Sequence, residues 1–242
     1  MTTVALLADA PEGDVLPELV AGTPLSAAEA STLYGAMLAD VARAVARSGG
    51  DLLVNYADED GAETAIRETL DRWLDGPDAR YEVQVGSTFS ARAGNTVTHL
   101  LDREDERSVA VVEPTAAFLG RQQIDSAAMK LRSSEVVLGP TTGGRVYYAG
   151  FTEPVDFDDA FAPPAVETLV RRAREAGLSV DFLPMLPVVE TPTDLLTALP
   201  VLAARTRAER IRPGATASVL DDLGLAVAPG DGGEGDLTVR RA

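Results

Sequence analysis

The sequence predicts an α/β fold, a three-layer α/β/α sandwich around a mixed, mainly parallel sheet. Three observations predict it. Short apolar runs alternate with longer segments whose apolar residues recur at helical spacing, the pattern of successive parallel βα units. Two of these runs, Leu52–Val54 and Val109–Val112, are apolar without alternation, as strands covered on both faces require. Between residues 136 and 151 two apolar runs are separated only by a Gly/Thr turn, so one antiparallel pair belongs to the otherwise parallel sheet.

The elements follow in order. Val4 to Ala8 reads as the first strand. From Ser26 to Arg47 the apolar residues Ala30, Leu33, Met37, Leu38, Val41 and Val45 share one helical face. Ser26 with Glu29 three residues on forms a capping box at its start, and Gly49-Gly50 follows its end. Asp51 to Tyr56 is a second strand and Ala62 to Leu74 a second helix. Tyr81 to Val85 is a short strand, and Thr88 to Leu101 a helix. Ser108 to Glu113 is a strand that stops at Pro114. Ile124 to Leu131 is helical, and the strand pair about the Gly turn comes next. Ala165 to Ala176 is a helix closed by Gly177, and Val180 to Leu183 is a strand. Thr191-Pro192-Thr193-Asp194 opens a last long helix that runs to about Arg205. Residues 1–205 thus read as one domain and 206–242 as an appendage. That appendage holds a short helix (Ser218 to Leu223), a flexible run from Pro229 to Gly235, and a final edge strand at Leu237–Arg240.

Composition narrows the chemistry. The 242 residues include no cysteine, which excludes disulfides, thiolate metal sites and cysteine nucleophiles. The N-terminal segment reads as a strand and not a signal peptide, and no apolar run approaches the ~20 residues that span a membrane. The expected location is the cytoplasm. The formal charge is −17, and of 21 basic residues only Lys130 is lysine. An acidic, lysine-poor surface resembles the proteins of salt-accumulating haloarchaea, where a Debye length of about 3 Å at molar salt screens such self-repulsion. No basic stripe is present, so nucleic acid is not an expected partner.

The stretch Val136 to Phe151 holds the Gly-Pro-Thr-Thr-Gly-Gly turn, with Gly139, Pro140, Gly143 and Gly144 followed by Arg145. Such a turn at strand ends either cradles a nucleotide or sugar phosphate, or is a glycine-rich turn between core strands. Arg145 suits bidentate phosphate contact, or pairs with a neighbouring acid. Asp194 reads as the third residue of its helix, accepting from the cap. Tyr147 and Tyr148 read as core or pocket wall, Trp73 as packing and His99 as structural; no Ser-His-Asp set can be assembled.

Three segments in order resemble a family of radical-SAM/selenodomain-associated transferases with the glycosyltransferase A-type fold, distantly similar to 2-phospholactate guanylyltransferase. They are Pro24–Ala30 with Leu33, Ala36, Leu38 and Asp40; Val136–Pro140 with Gly144, Tyr147 and Gly150; and Glu190–Leu195. Gln84-Val85-Gly86 with Arg92, and Glu113-Pro114, are weaker echoes. The resemblance implies a nucleotide-sugar or nucleotidyl transferase with a nucleoside diphosphate sugar or nucleotide as ligand. It implies Mg²⁺ or Mn²⁺, for which Glu190 and Glu113 are the candidate ligands, with the Gly139–Gly144 loop shaping the pocket; the alternatives are that Glu190 is a strand-end carboxylate and that Glu113, next to Pro114, only terminates its strand. The chain departs from the family pattern. Its loop from Asp9 to Pro17 holds three acids and no base where phosphate-binding cations are expected. Gly143 and Val112 stand where acids are expected, Arg145 replaces a glycine, and Glu190 replaces an aspartate. The second expectation is therefore a catalytically degenerate member serving as a binding or partner protein.

Overall fold

The computed structural model describes residues 1–12, 14–74, 76–230, 232 and 236–241. The chain runs β1 (Thr2–Ala8), α1 (Pro17–Gly22), α2 (Ala27–Ala46), β2 (Gly50–Tyr56), α3 (Ala62–Trp73), β3 (Arg80–Val83), α4 (Phe89–Arg103), β4 (Val109–Val112), α5 (Arg121–Lys130), β5 (Val136–Pro140), β6 (Val146–Phe151), α6 (Ala165–Glu175), β7 (Val180–Phe182), α7 (Pro192–Arg207), α8 (Gly214–Asp222), β8 (Leu225–Pro229) and β9 (Leu237–Arg241). Seven strands form one sheet in the order β3-β2-β1-β4-β6-β5-β7. Only β6 runs against its neighbours, antiparallel to both β4 and β5. The antiparallel pair expected about the Gly turn is β5–β6.

Side-chain alternation along the strands builds the two outer layers. On one face Val4, Leu6 and Ala8 of β1, Val54 of β2 and Val112 of β4 meet Leu38 and Val41 of α2, Ile66 and Leu70 of α3 and Ile124 of α5. On the other, Ala5, Leu7, Val111, Leu138 and Phe151 meet Ala93, Val97 and Leu100 of α4 and Leu169 and Ala173 of α6. Both faces are covered, which is why the strands are apolar throughout.

The capping box at α2 forms: Ser26 N–H donates to Glu29 Oε2 at 2.9 Å, and Glu29 N–H donates to Ser26 Oγ at 3.3 Å. Helix α1 and strand β8 are additional to the sequence reading. The last strand, read as an edge strand of the appendage, pairs with β8 in a separate antiparallel ribbon. Residues 231 and 233–235 of the run read as flexible lie outside the described residues.

Residues after 205 pack against the body in a third apolar cluster. Leu33 and Met37 of α2, Leu195 and Leu202 of α7, Ala217 and Leu220 of α8, Leu225 of β8 and Val239 of β9 share it. A polar clasp fixes the arrangement. The Asp40 carboxylate of α2, 6% exposed, accepts from Ala215 N–H at 3.1 Å and Thr216 N–H at 2.7 Å in the first turn of α8. Helix α8 has no side-chain cap of its own, so Asp40 serves its orphan donors from 175 residues away. At the rim of the same surface, Arg241 of β9 pairs with Glu29 at 2.7 Å.

Candidate active site

In an open α/β sheet the crevice for ligands lies beyond the carboxyl ends of the strands, where the order of connection reverses. Here β1 and β4 lie side by side with Leu6 opposite Val112, so Asp9 and Glu113 emerge together. The reversed direction of β6 brings Arg145 and Val146 to that same edge. A cleft of about 190 Å³ opens there, and Asp9, Tyr34, Gln84, Phe89, Arg92, Glu113 and Glu190 are among its walls.

The acidic first loop closes over this cleft. Asp9 N–H donates to Tyr34 Oη at 2.9 Å, and Val15 and Leu16 turn inward and are buried. Leu16 takes the left-handed conformation with φ of 53°, a costly state for a side chain other than glycine, Asn or Asp. Asp14 and Glu18 line the outer wall.

Glu113 and Glu190, the two expected metal-ligating residues, both face the cleft. Burial, reinforced by the negative charges of Glu190 and Asp9, pushes the Glu113 carboxyl up to about 8, against the pull of Arg92 and Arg145. Burial likewise raises the Tyr34 phenol, with Asp9 adding to it, so this hydroxyl stays neutral.

Arg145 is bound elsewhere than expected for a phosphate contact. Its Nη1 donates to Glu190 Oε2, its Nη2 reaches Asp194 Oδ1 at 2.6 Å, and its Nε donates to the Thr142 carbonyl at 3.2 Å. Asp194 is almost wholly buried. It also accepts from Thr142 Oγ1 at 2.9 Å and from Thr191 N–H at 2.9 Å, completing the capping box that opens α7. Burial alone would raise the Asp194 carboxyl, but the Arg145 and Thr191 bonds hold it below the ordinary aspartate value. Asp194 is the third helical residue that its sequence position indicated.

The glycine turn serves the fold at each position. None of Gly139, Pro140, Gly143 and Gly144 lines the cleft. A Cβ on Gly139 would stand 2.5 Å from the Tyr147 ring, so the absent side chain makes room for that ring. Gly143 and Gly144 have φ of 69° and 70°, which the turn into β6 requires. Tyr147 and Tyr148 are buried core, and His99 is exposed beside Glu104.

No family model matches this chain, and no curated protein matches it. Solved structures do. A candidate nucleotide-diphospho-sugar transferase from Desulfovibrio desulfuricans G20 superposes with a TM-score of 0.74 at 22% identity, covering 91% of this chain and 94% of that one. The fold is that of the nucleotide-diphospho-sugar transferases. A cytidylyltransferase from Leptospira borgpetersenii serovar Hardjo-bovis (strain JB197) is similar with a TM-score of 0.51 at 10% identity, covering 91% of this chain and 94% of that one. CMP:2-keto-3-deoxy-manno-octonic acid synthetase complexed with CTP is similar with a TM-score of 0.50 at 9% identity, covering 84% and 99%.

On this transferase fold, sequence reasoning missed Tyr34 and gave Gln84 and Arg92 no role. Tyr34 lies within the apolar run of α2 and carries no signal separating it from core. Gln84 and Arg92 did carry one, the Gln-x-Gly spacing with an arginine six residues on.

A divalent metal is the cofactor that the resemblance implies. Among the described residues no three His, Cys, Asp or Glu side chains are grouped to hold a metal ion, so a dedicated protein cage does not fit. The donor set does fit an ion that arrives with a nucleotide, which is held by one or two carboxylates and by phosphate oxygens. Burial and the charges of Glu190 and Asp9 outweigh Arg92 and Arg145 at Glu113, an imbalance that a cation would relieve. Glu190 is held by Arg145 through Oε2 alone, and its side chain is 45% exposed.

Proposed function

We propose that this chain is a nucleotidyl- or sugar-transferring protein of the radical-SAM/selenodomain-associated type, taking a nucleotide or nucleoside diphosphate sugar in the cleft beyond β1 and β4. One observation carries the reading: on a nucleotide-diphospho-sugar transferase fold, the acids Asp9, Glu113 and Glu190 converge on a single cleft at the carboxyl edge of the sheet. The neighbour crystallised with CTP supports a nucleotide as the ligand class. Mg²⁺ or Mn²⁺ bound with the nucleotide would be held by Glu113 and Glu190, and would neutralise the charge developing on the leaving diphosphate.

The residues of the chain have distinct tasks in this reading. Glu190 places negative charge at the inner wall, and Glu113 gains its charge when a cation offsets its burial. Arg145, through Glu190 and Asp194, fixes the start of α7 beside the cleft. The loop from Asp9 to Glu18 excludes water. Ligand pockets span roughly 300–1,000 Å³, more than the present cleft, so a nucleotide enters when that loop lifts.

A second reading is favoured by the same loop. Asp9, Asp14 and Glu18 face the cleft where a diphosphate would approach, so a protein that kept the fold and binds without catalysis is the alternative. Turnover decides between them. In molar potassium chloride, which suits so acidic a surface, the transferase reading expects Mn²⁺-dependent release of pyrophosphate or nucleoside diphosphate from a panel of nucleoside triphosphates and nucleotide sugars. It expects this release to fall at least tenfold in Glu190→Ala. Binding of a nucleotide without release under any acceptor would establish the second reading, and neither binding nor release would overturn both.

A further inference from the structure

Many cations of this acidic chain pair with its own carboxylates. Arg43 pairs with Asp40, Arg80 with Glu82 and Glu104, Arg121 with Asp125, Lys130 with Asp181, and Arg145 with Glu190 and Asp194. Arg92 differs. It lines the cleft, yet among the described residues no side chain or carbonyl bonds its guanidinium, and its Nε is buried without an acceptor. Asp9, Glu113 and Glu190 share the cleft with it, and among the described residues none closes an ion pair with it.

Its position is fixed by the backbone. Arg92 sits at the end of the first turn of α4, whose N-cap Thr88 accepts from Ala91 N–H at 3.1 Å. Gly86 packs directly under that turn, where a Cβ would stand 2.8 Å from Arg92 N. With φ of 139°, Gly86 is in a conformation that suits glycine, so the Gln-x-Gly spacing serves to seat the arginine.

Gln84 supplies the second observation. It is 7% exposed and lines the same cleft. Its amide donates to the Ala8 carbonyl at 3.2 Å and to the Asn55 carbonyl at 2.6 Å. Turning the amide over would set oxygen against oxygen, so these bonds fix its orientation. The Oε1 is then left buried and without a donor. A donor and an acceptor, both desolvated and neither bonded to the other, are an arrangement that a ligand completes.

We infer that Arg92 and Gln84 are the anchoring pair of the cleft, Arg92 taking phosphoryl oxygens and Gln84 a hydroxyl or N–H of the same phosphorylated ligand. A guanidinium fork matches phosphate geometry, and a fixed amide oxygen selects a donor. Tyr34 stands beside them with its oxygen accepting from Asp9 and its own hydrogen left to donate. This pair supplies the cation that the first loop lacks and that Arg145 does not offer. The assignment of a nucleotide to the pair rests on the transferase reading; the anchoring of phosphate does not.

Calorimetric titration of the full chain with inorganic pyrophosphate and with CTP, each with Mg²⁺, tests it at the lowest salt that preserves the circular dichroism spectrum. Arg92→Ala is expected to weaken both ligands at least tenfold, and Arg92→Lys to retain part of the affinity. Gln84→Ala is expected to weaken CTP and leave pyrophosphate within twofold. Arg92→Gln gives a second test that retains side-chain length without charge. Pyrophosphate binding that Arg92→Ala abolishes, with no CTP binding, would uphold the anchor and sink the nucleotide reading. CTP binding unchanged in both Arg92→Ala and Arg92→Gln would overturn the anchor and leave the nucleotide reading standing. A wild-type chain that takes up neither ligand overturns the anchor too.

Discussion

Two arginines reach the carboxyl edge of the sheet, and their surroundings are opposite. Arg145 is enclosed by Asp194, Glu190 and two oxygens of Thr142. Arg92, on the other side of the cleft, has its Nε buried and no bonded acceptor. In the first, every guanidinium nitrogen has met a carboxylate or carbonyl oxygen. The second leaves desolvated polarity open to an incoming molecule. Proximity to a strand end thus says little about an arginine's role. Whether its hydrogen bonds are already filled says much more.

Substitutions at the two places should separate stability from ligand binding. The largest effect is expected at Asp194. Removing one partner of a buried pair costs about 3–5 kcal/mol, so Asp194→Ala, which also deletes the α7 cap, should lower stability by that order in chemical denaturation. An unchanged midpoint would mean that the Arg145 cluster is not structural. Gly139→Ala comes next. Overpacking typically costs about 1–3 kcal/mol, and the new methyl would collide with the Tyr147 ring. The melting temperature should fall while ligand affinity holds; lost affinity at retained stability would return the glycine turn to the binding site.

Glu113→Gln probes the cleft through pH. A carboxyl with an ordinary value of 4.5 that is raised to about 8 in the folded chain binds its proton more tightly when folded. Its contribution to stability is complete below about 4.5 and is lost as pH rises toward 8. The variant should therefore flatten the decline in stability across that window and exceed the parent above pH 8; parallel profiles would show that Glu113 ionises normally. The smallest effect is expected at Arg92, where no bond within the protein is lost. Arg92→Ala should shift stability by no more than about 0.5 kcal/mol, measured by denaturant midpoint, while ligand affinity collapses.

Much of the fold was legible because its signals are local. The capping box at Ser26, the uninterrupted apolar runs of β2 and β4, and the short Gly turn between β5 and β6 each state their structure within a few residues. Strand β8, and so its pairing with β9, was not legible. Leu225–Pro229 has neither strict alternation nor length, and its pairing is fixed by packing on α2 and α7. Of the candidate site residues, Glu113 and Glu190 line one cleft. In the glycine turn the alternative of a structural turn accounts for each glycine, by a ring contact or a positive φ. Arg92 was the hardest to see, since an arginine without partners differs from one with partners only in three dimensions.

The clasp between Asp40 and the first turn of α8 also bears on the order in which the chain matures. A ribosome delivers α2 long before it delivers Ala215 and Thr216. Until then the carboxylate, paired with Arg43, sits beside a helix surface whose cover has yet to be made. The early chain therefore holds an exposed apolar seam with a charge at its centre, which disfavours premature closure onto the wrong segment. Completion of the body waits on α8, whose first turn closes over the first long helix.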